Sequence, residues 1–210
     1  MRWSVYVICL FLTVAASAAP LSAADERAER LKAAQADPGA LKAAQEAGHK
    51  ASFFCANCHG ETGIAKFPNV PNLAGQNPAY LLEQIRKFRS GERKDEFMQG
   101  MIKVLKEEDL IPIALFYASS PVPPGHADAA LAAQGKALFM RTCIQCHGEH
   151  AHGNDLIPRL AGQQPTYLQT AITRYRDKTG QRNDPRMLAA TGSLKNEEIA
   201  ALVQFLVQVQ

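Results

Sequence analysis

Two five-residue segments, Cys55-Ala-Asn-Cys58-His59 and Cys143-Ile-Gln-Cys146-His147, head two copies of one longer pattern, repeated with a period of about 88 residues. Pro71-Asn-Leu-Ala-Gly-Gln76 is answered by Pro158-Arg-Leu-Ala-Gly-Gln163, and Tyr80-Leu81 by Tyr167-Leu168. Gly91-Glu-Arg93 with Met98 is answered by Gly180-Gln-Arg182 with Met187. The matches keep their order in both copies, so the chain is expected to fold as one unit built twice.

Between the copies, Ser119-Ser-Pro-Val-Pro-Pro-Gly125 holds three prolines and a glycine, which forbid continuous helix or ladder pairing and mark a short, semi-rigid linker. The expected organisation is a first domain over 47–118, a linker over 119–126 and a second domain over 127–210. Residues 25–46 form an added N-terminal helical stretch. Residues 1–24 read as a secretory signal peptide: Arg2 gives the positive end, Val5 to Val14 the apolar core, and the small residues up to Ala24 a cleavage region. That apolar run is shorter than the roughly 20 residues a membrane span wants, so cleavage is preferred to a retained anchor. Each copy is small for an independent core, and is expected to need a cofactor or its twin.

No segment alternates with period two over five or more residues, so the expected fold is all-α. Helices run into each cysteine motif from Leu41 and from Ala127, open at Pro78 and Pro165, and close each copy after Leu105 and Leu194. Hydrophobic residues make up 47% and charged residues 20%, which fits a globular protein rather than a disordered one. Without Arg2 there are 22 basic against 20 acidic residues, a near-neutral balance with nothing in it that points to a nucleic-acid binder.

Cys9 leaves with the signal peptide, and the remaining four cysteines form two pairs, which in an exported chain would first suggest disulfides. Disulfides leave the histidine after each pair unexplained. Zinc would want four well-spaced ligands, which one pentad supplies poorly, and a thioredoxin-like pair would need strands. Cys-x-x-Cys-His instead suits covalent haem: two thiols three positions apart reach the two vinyl groups of one porphyrin, and the adjacent histidine lies under the ring. Two haem c groups are therefore expected, on Cys55 and Cys58 and on Cys143 and Cys146, with His59 and His147 as iron ligands.

The repeat nominates Met98 and Met187 as the second axial ligands, with Met101 a rival to the first and core filling the alternative for any lone methionine. Met140 has no counterpart and is assigned to packing. The carbonyls of Pro71 and Pro158 are candidates to accept the second N–H of each histidine. Arg93 and Arg182 are candidates to pair with haem propionates, an ordinary solvated arginine being the alternative. Tyr80 and Tyr167 are candidates for the haem edge. His49, His126, His150 and His152 do not recur and read as surface residues.

On these segments the sequence resembles the class I cytochromes c and, in its duplicated form, the dihaem cytochrome c4 family over nearly all of the mature chain; Asn183-Asp-Pro-Arg-Met187 is especially similar. The resemblance implies two tandem cytochrome c-like domains related by a pseudo-twofold axis, with propionates facing across the interface. It also implies a periplasmic electron carrier, peripherally associated with the membrane, passing electrons between redox protein partners towards a terminal oxidase. The alternative is a cytochrome subunit of a periplasmic dehydrogenase. With both axial positions filled no site is left for substrate, so an enzyme is not expected.

Overall fold

The computed structural model describes residues 22–210; the expected signal peptide lies almost wholly outside them. Eleven helices and no strand occur among the described residues: α1 Ala23–Ala36, α2 Pro38–Ala51, α3 Ala56–His59, α4 Pro78–Ser90, α5 Glu96–Lys103, α6 Glu107–Ser119, α7 Ala129–Thr142, α8 Ile144–His147, α9 Pro165–Arg176, α10 Pro185–Thr191 and α11 Asn196–Gln208. From α2 to α6 and from α7 to α11 the same five-helix order runs twice.

The N-terminal stretch forms two helices. Ser22 and Asp25 make a reciprocal capping box at the start of α1, and Asp37 ends it by capping α2 through the Ala40 N–H at 2.8 Å. Pro38, at the first position of α2, lacks the N–H that would continue α1. Leu31 of α1 is buried against Leu82, Leu110, Ile111 and Leu115, so the extension joins the first core. Glu107 accepts from Arg27 of α1 and, at 2.9 Å, from Arg89 of α4, tying α1 to α6. The second core gathers Leu138, Phe139, Leu168, Ile172, Ile199, Leu202, Phe205 and Leu206.

In each half the helix entering the cysteine motif crosses the last helix at a glycine. A side chain on Gly48 would lie 2.0 Å from the Pro112 carbonyl, and one on Gly135 would lie 2.0 Å from the Ala201 carbonyl. The backbones therefore touch directly, which is close packing at its limit. Pro112 stands inside α6, where the sequence suggests a kink or a late start; the helix runs through it from Glu107.

The halves meet through a reciprocal set of amide bonds. Gln163 accepts from the Asn72 N–H at 2.6 Å and donates to the Asn72 carbonyl at 2.9 Å, while Gln76 treats Arg159, the counterpart of Asn72, in the same way. Asn77 donates to the carbonyls of His152, Asn154 and Ile157, and its counterpart Gln164 to Ala65. Val122 of the linker sits between the two repeats: its methyls close on the left-handed Gly75 (φ 64°) and Gly162 (φ 67°), where any side chain would collide with them. This exchange is the signature of a pseudo-twofold axis passing near Val122.

Candidate haem site

Each cysteine motif begins where an entering helix ends and closes a single further turn. The His59 N–H bonds the Cys55 carbonyl at 2.9 Å and the His147 N–H bonds the Cys143 carbonyl at 3.0 Å; Gly60 and Gly148, both at φ 76°, then turn the chain away. One helical turn thus sets both thiols and the imidazole of each motif along one wall. None of these four cysteines is joined in a disulfide. Burial pushes the thiols of Cys55 and Cys143 above their ordinary value.

Both imidazoles are buried, and each meets a carbonyl of the following loop: His59 Nδ1 lies 2.9 Å from Pro71 O, and His147 Nδ1 lies 3.1 Å from Pro158 O. A carbonyl can only accept, so Nδ1 carries the hydrogen and the Nε2 lone pair of each ring is left for a Lewis acid. Burial, the largest influence, holds both imidazoles below their usual range, against the Pro71 and Pro158 carbonyls that favour the charged form.

Met98 and Met187 occupy equivalent places, each the third residue of a short helix. Asp95 caps α5 by accepting from the Met98 N–H at 3.0 Å, and Asp184 caps α10 through the Arg186 N–H at 3.0 Å. Sequence periodicity does not reveal these helices, of eight and seven residues, because they are too short to repeat an apolar face. A partly open cavity of about 860 Å³ runs through both halves and across their interface. Its wall includes every candidate: Cys55, Cys58, His59, Pro71, Tyr80, Arg93 and Met98 in the first half, and Cys143, Cys146, His147, Pro158, Tyr167, Arg182 and Met187 in the second. Met101, the rival to Met98, and Met140 do not line it. The four unrepeated histidines are exposed.

Where the cavity crosses the interface, Arg93 and Arg182 converge on one phenol. Arg93 donates to Tyr167 Oη at 3.1 Å across the interface and to Gln84 Oε1 at 2.9 Å within its own half; Arg182 donates to the same Tyr167 oxygen. Arg93 stacks on Phe88 at 4.4 Å, and Arg182, 9% exposed, lies near the rings of Tyr167 and Tyr175. Neither guanidinium pairs with a carboxylate among the described residues. Burial, then repulsion from Arg182, pushes Arg93 below its ordinary range. Gln84, Phe88 and Tyr175 escape sequence reasoning, and Gln76 and Gln163 stand in the sequence as marks of the repeat without a role. The halves also differ: Tyr117 is 1% exposed with its hydroxyl unpartnered, whereas Leu206 stands at its place in the second half.

These residues fit haem c. Cysteines stand in pairs beside an imidazole whose outer nitrogen is already committed, methionine thioethers stand on the same wall, and Arg93 and Arg182, without carboxylate partners among the described residues, could pair with propionates. The Cytochrome c family model matches residues 132–210. Cytochrome c4 of Stutzerimonas stutzeri is 35% identical over 182 residues, covering 77% of this chain and 87% of that protein. The thiosulfate dehydrogenase electron acceptor of Thiomonas intermedia is 33% identical over 172 residues, covering 72% and 76%. The crystal structure of reduced recombinant cytochrome c4 from Pseudomonas stutzeri superposes with a TM-score of 0.72 at 34% identity, covering 79% of this chain and 98% of that one.

Proposed function

The chain belongs to the cytochrome c4 family, an electron-transfer protein with covalently bound haem c, and on that premise we propose that it is a periplasmic dihaem carrier with His59 and Met98 on one iron and His147 and Met187 on the other. When bound, haem c supplies an iron that gains and loses one electron. The chain's residues do the rest. Cys55 with Cys58, and Cys143 with Cys146, hold each ring by thioethers. The Pro71 and Pro158 carbonyls fix the imidazole planes and raise their basicity. The thioethers of Met98 and Met187 favour the reduced state and fill the position a substrate would need, which makes carriage, not catalysis, the chemistry these sites support. Arg93 and Arg182 are placed to neutralise propionates.

The observation that carries this reading is that a histidine with Nδ1 committed and a capped methionine stand on one cavity wall in each of two matching halves. The reading of residues 1–24 as a signal peptide supports the periplasmic location. No described helix is long and apolar enough to cross a membrane. Delivery towards a terminal oxidase is the first reading of the partner. Service as the cytochrome partner of a periplasmic dehydrogenase is the second, favoured by the thiosulfate dehydrogenase electron acceptor among the relatives.

Visible, magnetic circular dichroism and CO-binding spectra of the protein as isolated test the ligation. Two low-spin, six-coordinate irons that leave CO unbound are expected; a high-spin iron, or prompt CO binding by the reduced protein, would overturn the carrier reading. Stable co-purification with a dehydrogenase subunit would select the second partner.

A further inference from the structure

We propose that Tyr167 is the positioning residue that couples the two haem sites, by holding the guanidiniums of both halves on a single oxygen. The inference rests on the dihaem reading above and adds to it an asymmetry that the repeat does not contain. Tyr80 and Tyr167 are counterparts, as are Arg93 and Arg182, so an ideal twofold would give each tyrosine one arginine or both. Instead Arg93 crosses the interface to Tyr167, Arg182 donates to Tyr167 from within its own half, and Tyr80 accepts from neither.

The phenol oxygen has no further acceptor capacity once two N–H groups reach it, so its own O–H is left as a donor. Arg93 is shared: Phe88 and Gln84 hold it to the first half, and Tyr167 alone holds it to the second. A positive charge near a haem favours the reduced form, which has the lower charge of the two. The position of Arg93 therefore weights one haem against the other, and the Tyr167 hydroxyl sets that position. Without the hydroxyl, Arg93 falls back on Gln84 and Phe88 in the first half.

The test is a potentiometric titration of the holoprotein, with each haem followed by NMR, for the wild type, Tyr167→Phe, Arg93→Gln and the double variant. Haem is quantified on each, because fewer than two haems per chain would fault the dihaem reading itself, separately from the coupling. In Tyr167→Phe the first haem's potential is expected to rise and the second's to fall. In Arg93→Gln both are expected to fall. In the Arg93→Gln background, Tyr167→Phe is expected to lose most of its effect on the first haem, the non-additivity of two residues acting through one contact. Additive shifts, a Tyr167→Phe effect confined to the second haem, or unchanged potentials in a variant that keeps both haems would each overturn the proposal.

Discussion

The carboxamide of Gln76 grips the backbone of Arg159 at both ends, its Oε1 accepting from the Arg159 N–H at 2.7 Å and its Nε2 donating to the Arg159 carbonyl at 2.9 Å. Gln163 grips Asn72 likewise. Because these bonds are to backbone, they form whichever side chain stands at 72 or 159, and Asn72 adds a bond of its own across the interface, its Nδ2 donating to the Gly162 carbonyl at 3.0 Å. The glutamine clamp is thus the same in both halves, with Asn at one position and Arg at the other.

Truncating either glutamine strands a partly or fully buried N–H and carbonyl on the opposite half, at about 1–3 kcal/mol for each group left unmade. Gln163→Ala is therefore expected to lower the melting temperature by several degrees and to split a single unfolding transition into two, as read by calorimetry of the holoprotein. A transition unchanged in midpoint and width would show that the clamp is not what joins the halves.

The glycine crossings make a second case. Gly48→Ala and Gly135→Ala each drive a methyl against a backbone carbonyl that has no flexible end to yield, and overpacking of this kind costs about 1–3 kcal/mol. Chemical denaturation should show both variants destabilised by that order. Gly100, which meets nothing within 4 Å, is the control: Gly100→Ala in α5 should be neutral or mildly stabilising, since alanine is the better helix former.

Asp95 and Asp184 hold the short helices that carry Met98 and Met187. Replacing an N-cap aspartate by alanine costs about 1 kcal/mol, here concentrated on one or two turns. Asp95→Ala should weaken the methionine-to-iron charge-transfer absorption of the first haem and Asp184→Ala that of the second. Retention of full intensity in both would show that the caps do not position the ligands.

Acid should loosen α1 before the rest. Burial pushes the Glu107 carboxyl up, but the Arg27 and Arg89 guanidiniums outweigh it and hold the group below its ordinary value of 4.5. Its contribution is therefore present above the unfolded value and is lost as the pH falls through the lower folded one. The carboxylate is half-exposed, so the effect is that of a surface pair, at most about 1 kcal/mol. Hydrogen exchange in α1 should quicken as pH falls below about 4.5 relative to the intrinsic rate, and Glu107→Gln should quicken it at neutral pH and remove the dependence.

Much of this molecule is legible from its two cysteine motifs. The repeat assigns Cys55, His59 and Met98 and their counterparts to one role in each half, and every one of them lines the same cavity. What stays hidden is of two kinds. Helices α5 and α10 are too short for periodicity to declare, and only their caps, Asp95 and Asp184, are visible once a helix is suspected. The interface is hidden because Gln76, Gln163 and Val122 act across about 83 to 91 residues of chain or through backbone contacts, and a polar residue read alone defaults to solvent. Arg182 shows the same limit: sequence offers a solvated arginine as the alternative, and the structure buries it.

The most direct test of the account is haem and electron stoichiometry measured together on one sample. The pyridine haemochrome assay should find two c-type haems per chain, and a reductive titration should take up two electrons in one-electron steps. One haem per chain, or haem that is released by acid acetone and so is not covalently held, would contradict it.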